Sequence, residues 1–470
     1  MNTTAAHTGR GDIGLSWAQG EPPGAYAPPS APWPIDLALD ANEGAPAGIG
    51  TLTLPAHAGA DVLRRYPGAG TLEALIAARA GIDPGRVLVT AGGDEAIDRA
   101  CRVALGPGRR MVLPVPTFEM IERYAQGVGA EIVRVPWPSG PFPADEVLRR
   151  TDDSTAMIGV VSPNNPTGGV ASAEDLARVS AGARGALVMV DLAYAEFADE
   201  DLGAAAIALP NAIIIRTFSK AFGLAGIRVG YAIGPERVIR AMRAAGSPFP
   251  VSGTSLLVAS EALRTADAWL PESVARVREM RRRLAAVLVE IGAEPVPSQA
   301  NFVLAEFRDA AWVWRALASL GIGVRSFASR PGLERSLRIT CPPDDASWQR
   351  LHRALHAAAR PRALVLDLDV VGAASDWPAR LARRLPVETV TDRDAASLPG
   401  PAAVRATMTR LGVEHAWMIA GSPASVRAAR AAGVPAVGVA MTGDEGRAAL
   451  EAAGAARVVD DLTRVEEMLP

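Results

Sequence analysis

Between about residues 36 and 245, short apolar runs alternate with stretches whose apolar residues recur at helical spacing. The apolar runs are "RVLVT", "RMVLPV", "AMIGVVS", "ALVMVDLAY" and "AIIIRTFS", and they are apolar throughout instead of alternating. Strands of this kind are covered on both faces, which is typical of parallel sheets. One helical pattern is "TLEALIAARAG", with Thr71 as its predicted cap and Gly81 as its predicted stop. The pattern predicts a large α/β domain over residues 36–245.

The rest of the chain divides into two further domains and an arm. A long helical pattern over 254–290, "NFVLAEF", a helix around 309–320 and "SLRIT" predict a smaller α+β domain over 246–359. Near Arg360, "ARPRALVLDLD" restarts an α/β pattern, which predicts a third domain over 361–470. Residues 1–35 are rich in Gly, Pro, Ala and Ser, so they predict a flexible arm.

Composition and charge favour a cytoplasmic enzyme. The net charge is −3 and the arginines are scattered, which argues against binding to nucleic acid or to a membrane surface. No run approaches about 18 apolar residues, so no membrane span is expected. Cys101 and Cys341 suit a reducing compartment and are predicted core residues. His352 and His356 are predicted on a solvated helix face, because no third ligand for a metal lies near them.

Lys220 differs from all the other basic residues of the chain. Of the 48 lysine and arginine residues, only Lys220 is a lysine, and it lies in "RTFSKAFGLAGIRVG". An arginine stays protonated and cannot act as an amine nucleophile, so a single lysine suggests amine chemistry. Asp191 ends "ALVMVD", Asn165 follows "IGVV" in "SPNNPTG", and Asp94 follows "VLVTAGG". Ligands bind beyond the carboxyl ends of strands in such sheets, so these residues should share one crevice with Lys220.

The same crevice offers groups for a phosphate. Backbone N–H groups at the start of the helix after "AGGDE" would favour an anion, and Ser219 and Arg228 lie nearby in sequence. An amine, a strand-end carboxylate and a phosphate cradle are what pyridoxal phosphate requires. The lysine would bind this cofactor covalently, and the carboxylate would keep its pyridine nitrogen protonated.

Nine collinear stretches carry a family resemblance. They are "LALDANEG", "RRYPGAG", "VLVTAGGDEAID", "PTFEM", "SPNNPTGG", "VDLAYAEF", "RTFSKAFGLAGIRVGY", "QANFVLAEF" and "VRSF…SLRIT". Residues from about 26 to 358 thus resemble the fold type I, class I/II aminotransferases that depend on pyridoxal phosphate, in particular the histidinol-phosphate aminotransferases. The resemblance implies a large, mostly parallel sheet domain, a small α+β domain and a homodimer. It also implies a ping-pong amino transfer with 2-oxoglutarate as acceptor.

The resemblance implies a role for each matching residue. Lys220 would hold the cofactor and move the proton, and Asp191 would pair with the pyridinium. Tyr194 and Asn165 would bond the phenolic oxygen, and Phe118 would stack on the ring where the family usually has Tyr. The residues implied around the cofactor phosphate are Gly93, Asp94, Thr217, Ser219, Arg228 and, from the neighbouring subunit, Tyr66.

For the substrate, the resemblance points to a phosphorylated or aromatic amino donor. Arg338 in "LRIT" takes the place of the family's anion-binding arginine, and Arg325 that of a second arginine for the substrate phosphate. Tyr26 resembles an amino-terminal tyrosine that contacts the same phosphate, and Asn165 also lies on the substrate side. The motifs fit equally a decarboxylase similar to the threonine-phosphate decarboxylases, or an aminotransferase of secondary metabolism. A cofactor-binding scaffold without activity is at odds with the complete catalytic set.

The carboxyl-terminal domain resembles the haloacid dehalogenase (HAD) superfamily, and the resemblance implies a HAD-like Rossmannoid α/β domain. "RALVLDLDVVG" would supply Asp367 as nucleophile and Asp369 as acid/base, with Thr391 as the second motif and Arg405 in place of a lysine. Active members have Gly-Asp-Ser-x-x-Asp where this chain has Gly-Ser-Pro-Ala-Ser-Val at 421–426, so both carboxylates that would hold magnesium are missing. The sequence therefore predicts a degenerate domain used for packing, dimer geometry or partner binding, rather than a bifunctional aminotransferase/phosphatase.

Overall fold

Three sheets build the part of the chain that the computed structural model describes, which comprises residues 30–44, 61–367, 377–390, 400–440 and 443–469. The strands are β1 (Leu37–Leu39), β2 (Val87–Thr90), β3 (Arg110–Val115), β4 (Glu131–Pro136), β5 (Thr155–Val161), β6 (Leu187–Asp191), β7 (Ala212–Thr217), β8 (Gly230–Ile233), β9 (Glu294–Pro295), β10 (Phe302–Glu306), β11 (Ile322–Ser326), β12 (Ser336–Thr340), β13 (Ala363–Leu366), β14 (Val387–Thr389), β15 (Ala416–Ala420), β16 (Ala436–Val439) and β17 (Arg457–Val459).

Helices connect most of these strands and cover the sheets. They are α1 (Asp61–Arg64), α2 (Gly70–Ala80), α3 (Gly92–Ala104), α4 (Glu119–Gly127), α5 (Ala144–Arg149), α6 (Ala173–Gly182), α7 (Gly203–Ile207), α8 (Glu236–Ala244), α9 (Gly253–Glu290), α10 (Ala310–Ser319), α11 (Asp345–Ala359), α12 (Trp377–Leu381), α13 (Pro401–Arg410), α14 (Pro423–Ala431), α15 (Gly443–Ala453) and α16 (Thr463–Met468). Within the described ranges, no helix combines the length and the apolar character that a membrane crossing requires.

The large domain is built on a sheet of strand order β2-β8-β7-β6-β5-β3-β4. Its neighbours pair in parallel except for β8, which runs antiparallel to both β2 and β7. The five apolar runs of the sequence form β2, β3, β5, β6 and β7, and β2 and β5 are buried along their whole length. The mostly parallel sheet predicted from these runs is confirmed.

One predicted helix cap is wrong. Helix α2 begins at Gly70, and its cap residue Ala69 makes no side-chain hydrogen bond, so Thr71 lies inside the first turn. The predicted stop is confirmed, because Gly81 has a left-handed φ of 65° and its N–H bonds the carbonyls of Ala77 and Ala78.

The small domain has the strand order β1-β11-β12-β10-β9. Strand β1 pairs in parallel with β11, in the register Leu37 with Ile322 and Leu39 with Val324. Residues 37–39 therefore belong to the small sheet, whereas the sequence assigned residue 36 onward to the large domain. The physical reason is the open edge of β11, whose backbone groups are satisfied by this amino-terminal segment.

The carboxyl-terminal sheet is parallel throughout, in the order β14-β13-β15-β16-β17. Its first strand begins at Ala363, just after α11 ends at Ala359. Trp312 and Trp417 meet edge to face at 4.7 Å across this junction. Their indole N–H groups donate to the carbonyls of Ala358 and Ala357, at 2.8 and 2.7 Å. The small domain and the carboxyl-terminal domain thus share one apolar core.

Two expectations about exposure fail at this junction. His356 is buried, and its ring stacks on that of His415 at 5.0 Å, because the carboxyl-terminal domain covers this side of α11. Burial, together with the neighbouring histidine, lowers the pKa of both side chains. Trp33, which the sequence assigned to a flexible arm, is buried as well. The predicted burial of Cys101 and Cys341 is confirmed.

Candidate active site

A cavity of about 380 Å³ lies where the carboxyl ends of β5, β6 and β7 face the small domain. Its wall combines strand-end residues of the large domain, such as Asp191, with Arg325 and Arg338 of the small domain. Lys220 also lies in this wall, three residues after the end of β7. The cavity therefore needs both domains to be complete.

The amine and the carboxylate of this cavity lie at different depths, since Asp191 is buried and Lys220 is half-buried. Asp191 is 5% exposed, and its Oδ1 accepts a hydrogen bond from the Ala193 N–H at 3.0 Å. Burial raises the pKa of Asp191 to about 7, although that backbone bond and the Lys220 charge pull it down. Burial lowers the pKa of Lys220 to about 8, with a further contribution from the positive charge of Arg338. Lys220 Nζ donates to the Ala41 carbonyl oxygen at 3.1 Å.

Tyr194 is held in place by the amino-terminal segment. Its hydroxyl oxygen accepts a hydrogen bond from Asn42 Nδ2 at 3.0 Å, and burial raises its pKa to about 12. Its ring centroid lies 5.8 Å from Lys220 Nζ. Asn42 is fixed in turn by Thr340, whose hydroxyl donates to Asn42 Oδ1 at 3.1 Å. The phenol therefore stays protonated beside the amine over the neutral pH range.

Asn165 joins the two domains across the cavity. Its Oδ1 accepts a hydrogen bond from Arg338 Nη1, while Arg338 Nη2 donates to the Asp40 carbonyl at 2.5 Å. Arg338 is 7% exposed, and its guanidinium carbon lies 5.2 Å from the centroid of the Phe302 ring. These contacts fix the plane of the guanidinium at the edge of the cavity.

An anion cradle lies at the start of α3. Gly92 has a left-handed φ of 81°, and a Cβ atom on Gly230 would lie 2.6 Å from the Gly93 nitrogen, so the backbones of β8 and α3 meet with no room for side chains. The Thr217 hydroxyl donates to Ser219 Oγ at 3.0 Å beside this turn. Arg228 Nη2 lies 3.3 Å from Asp94 Oδ2, and both residues line the cavity.

A group of arginines forms the wall on the small-domain side. Arg325 and Arg338 face each other on the antiparallel strands β11 and β12. Arg330 also lines the cavity, and its Nη2 donates to the Thr117 carbonyl at 2.6 Å. Arg325 Nη2 forms an ion pair of 3.0 Å with Glu119 Oε1, at the first residue of α4. The positive charge of Arg325 is thus shared with a carboxylate of the same cavity.

The structure brings most of the predicted site residues to this cavity. The predicted residues in its wall are Gly93, Asp94, Phe118, Asn165, Asp191, Tyr194, Thr217, Ser219, Lys220, Arg228, Arg325 and Arg338. Tyr66 is elsewhere, 83% exposed and stacked on Phe249 at 4.7 Å. Tyr26 lies outside the described residues.

The sequence analysis did not predict three further residues of the site. Glu119 pairs with the positive charge of Arg325, and Arg330 adds a further positive charge to the same wall. Nothing in the sequence distinguishes these two residues from the many other charged ones. The sequence could have indicated Asn42, because it lies in the family-like stretch "LALDANEG". In the structure Asn42 has a left-handed φ of 54°. Its bond to Tyr194 depends on a contact between residues 152 positions apart, which no local pattern reports.

These groups fit pyridoxal phosphate. The cofactor needs an amine that is neutral near pH 8, a carboxylate for its ring nitrogen and a donor-rich turn for its phosphate, and each is present in one cavity. Gly93, in the first turn of α3, lines the cavity without a side chain, so peptide N–H groups there would be open to an anion. The two-domain fold and this set of groups together define the class: pyridoxal-phosphate-dependent enzymes of fold type I.

Comparison with known proteins narrows the class to a family. The family model "Aminotransferase class I and II" matches residues 53–355, which is more than half of the chain. The chain belongs to this family, and it is a pyridoxal-phosphate-dependent aminotransferase. The matched region ends before β13, so the carboxyl-terminal sheet lies outside it.

Individual relatives agree with this assignment. The chain is 35% identical over 322 residues to a histidinol-phosphate aminotransferase of Rhodospirillum rubrum, covering 66% of this chain and 86% of that protein. It is 34% identical over 284 residues to the protein of the same name from a Thermoanaerobacter species, covering 60% and 80%. Among solved structures, the histidinol-phosphate aminotransferase of Sinorhizobium meliloti, in complex with pyridoxal 5'-phosphate, matches with a TM-score of 0.60 and 27% identity, covering 68% of this chain and 91% of that one.

The lowered pKa of Lys220 can be tested directly, because no other lysine competes for the reagent. In the cofactor-free protein, we expect reductive methylation of Lys220 to reach its half-maximal rate near pH 8, where half of the amine is neutral, since burial and Arg338 lower its pKa to about 8. Peptide mass spectrometry would separate Lys220 from the terminal amine.

A synthetic peptide of residues 214–226 is the matched control, with an expected midpoint of about 10.4 for an exposed lysine. Replacing Arg338 with Ala should move the midpoint of the protein upward, because one of the charges that disfavour the protonated amine is lost. A midpoint in the intact protein equal to that of the peptide would contradict the account.

Proposed function

We propose that the amino donor of this aminotransferase carries a phosphate group, as histidinol phosphate does, and that 2-oxoglutarate is the acceptor. The observation that carries the proposal is the arginine wall, in which Arg325 and Arg338 lie side by side and Arg330 joins them in the same cavity. Arginine binds phosphate and carboxylate through paired N–H groups, which suits a dianion better than a neutral side chain. The names of the relatives support the same donor.

The chain's own groups suffice for the proton transfers of the reaction. When bound, pyridoxal phosphate supplies an electron sink for the substrate's α-carbon. Lys220 Nζ, with a pKa of about 8, can take the proton from that carbon as a base and return a proton as an acid. Asp191 is the buried carboxylate that would balance a protonated ring nitrogen, and such a cation beside it would favour its ionised form.

Other residues would orient the substrate. Arg338, locked between Asn165 and the Asp40 carbonyl, would bind an anionic group of either substrate. Tyr194 keeps its proton and can donate it in a hydrogen bond at neutral pH. In a ping-pong reaction the donor gives up its amino group and leaves as its oxo product before the oxo acid binds, so the same arginine wall would serve both substrates in turn.

Several features support a homodimer in which Tyr66 serves the neighbouring subunit. Tyr66 is 83% exposed and Phe249 48%, and the two rings form an exposed aromatic patch, while Leu63, 80% exposed, lies three residues before Tyr66 in the chain. Tyr66 and Phe249 stack with their rings 4.7 Å apart, so the patch is ordered although it is open to solvent. Such a patch favours a contact with a second copy. The cytoplasmic location stays a prediction from composition.

The donor assignment is tested by comparing histidinol phosphate with histidinol, which differs only in the phosphate. We expect a clear preference in kcat/KM for histidinol phosphate, and we expect Arg325→Ala to lower kcat/KM for this donor by roughly 100-fold, because the substrate phosphate would lose a charged partner inside the cavity. The same substitution should change the rate with histidinol little.

Glu119→Gln should have the opposite effect to Arg325→Ala, because it removes the carboxylate that competes with the substrate phosphate for Arg325. Its KM for histidinol phosphate should fall several-fold, because the substrate phosphate no longer displaces an ion pair. Arg335→Ala, an arginine paired with Glu306 rather than set in the cavity wall, is the control and should leave both donors unaffected. A wild-type preference for histidinol would refute the phosphate assignment.

We also infer that residues 361–470 form a degenerate HAD-like domain. All its paired strands are parallel, and Asp367 directly follows β13, next to the loop after β15. Asp367 is 1% exposed, and its Oδ2 accepts a hydrogen bond from Ser425 Oγ at 2.5 Å. Ser422 Oγ in turn lies 2.9 Å from Ser425 Oγ. Ser422 and Val426 occupy the two positions where active members of the superfamily have carboxylates. Asp369 and Thr391 lie outside the described residues, and Arg405 donates to the Ala431 carbonyl at 3.2 Å.

This domain should have no phosphatase activity. The superfamily's reaction needs a nucleophilic carboxylate whose charge is offset by magnesium, and here a buried Asp367 is engaged by a serine instead. Release of inorganic phosphate from p-nitrophenyl phosphate and histidinol phosphate would be measured with magnesium present, for the wild type and Asp367→Asn. Neither protein should exceed the background. Turnover that is present in the wild type and lost in Asp367→Asn would restore the bifunctional enzyme.

A further inference from the structure

The amino-terminal segment 30–44, called the strap below, runs from the carboxyl-terminal domain to the active-site cavity. At its far end, the buried Trp33 donates its indole N–H to the Glu451 carbonyl of α15 at 2.9 Å. Two guanidinium carbons lie over its ring, at 5.1 Å for Arg315 and 6.0 Å for Arg430. Contacts of this kind stabilise an indole in a fixed position.

The same two arginines tie the small domain to the carboxyl-terminal domain. Arg315 of α10 donates to the Ala456 carbonyl at 2.6 Å, and Arg430 of α14 donates to the Ser319 carbonyl at 2.6 Å. Each arginine therefore reaches from one domain to the other, and Trp33 lies against both. The indole is fixed by the junction, and not by either domain alone.

The near end of the strap touches the catalytic groups. The Ala41 carbonyl accepts from Lys220 Nζ, and Asn42 Nδ2 donates to the Tyr194 hydroxyl. The Asp40 carbonyl accepts from Arg338 at 2.5 Å. A Cβ atom on Gly44 would overlap the Lys220 carbonyl oxygen, so the strap passes this point in direct backbone contact.

The strap is short between its two ends, and part of it pairs with β11 in a defined register. Trp33 and Asp40 are seven residues apart, about 23 Å of extended chain. Between them, β1 pairs with β11, the strand that carries Arg325, and Asp36 Oδ1 lies 2.6 Å from Arg350 Nη2. Paired backbone at residues 37–39 therefore lies between Trp33 and residues 40–42, which contact the site.

We propose that the carboxyl-terminal domain serves the amino-transfer site by anchoring this strap through Trp33, which makes Trp33 a positioning residue. Both ends of the arrangement, the strap and the carboxyl-terminal sheet, lie outside the region 53–355 that the family model matches. Residues 37–44 of the strap belong to one of the stretches that carry the family resemblance, so the carboxyl-terminal sheet is the part of this arrangement without a counterpart among those stretches. The inference rests on the aminotransferase site itself and not on the identity of the donor.

The test compares full-length Trp33→Ala and Trp33→Phe with the wild type. In cofactor-free Trp33→Ala, the pH midpoint of Lys220 methylation should rise towards that of an exposed lysine, because a loosened strap lets water reach the amine. In the cofactor-loaded protein, KM for 2-oxoglutarate should rise roughly tenfold, since small misplacements of substrate-binding groups are costly, while kcat changes less. Trp33→Phe keeps the ring over the arginines and should restore most of both values.

Arg457→Ala is the matched control, because Arg457 joins the carboxyl-terminal domain to Asp309 of the small domain at 2.8 Å without touching the strap. It should leave the methylation midpoint and KM at wild-type values. A Trp33→Ala protein with unchanged midpoint and unchanged KM would overturn the proposal. Equal effects of Trp33→Ala and Arg457→Ala would also overturn it, because they would assign the effect to domain docking in general. The methylation readout needs no donor, so it separates this proposal from the assignment of histidinol phosphate.

Discussion

The amine of Lys220 has to be kept neutral enough to react while it stays close to the buried carboxylate of Asp191, and the site is arranged around this constraint. Burial lowers the pKa of Lys220 to about 8 and raises that of Asp191 to about 7, so both groups titrate near neutral pH. Neither effect would persist in a cleft open to water. The large domain brings the two groups to the ends of adjacent strands, and residues of the small domain and the strap line the same cavity.

Arg338 shows how the two domains depend on each other. It adds positive charge next to Lys220, bonds Asn165 of the large domain and holds the Asp40 carbonyl of the strap. One guanidinium thereby links the electrostatics of the amine to the closure of the cavity. The carboxyl-terminal domain is connected to the site in a similar way. Its core is continuous with that of the small domain, and the junction between the two domains fixes Trp33.

Much of this was accessible from the sequence, and the exceptions have physical reasons. Continuous apolar runs identified the parallel strands, and their polar ends identified Asp94, Asn165 and Asp191, because topology brings strand ends to one edge. The pairing of β1 with β11 could not be predicted, since three residues carry too little pattern and their partner lies about 285 positions away. Burial of Trp33 and His356 depends on a neighbouring domain. The pairing of Glu119 with Arg325 joins residues 206 positions apart, and nothing local distinguishes it from a surface charge.

The most direct test of the account is a single turnover of cofactor-loaded protein with an excess of amino donor and no oxo acid. The wild type should convert one equivalent of donor per site to its oxo product, as measured by mass spectrometry. Lys220→Arg keeps the positive charge but offers neither a nucleophilic amine nor a base, so its rate should fall by about 10³-fold or more. Transfer at an undiminished rate in Lys220→Arg would contradict the central role of this amine.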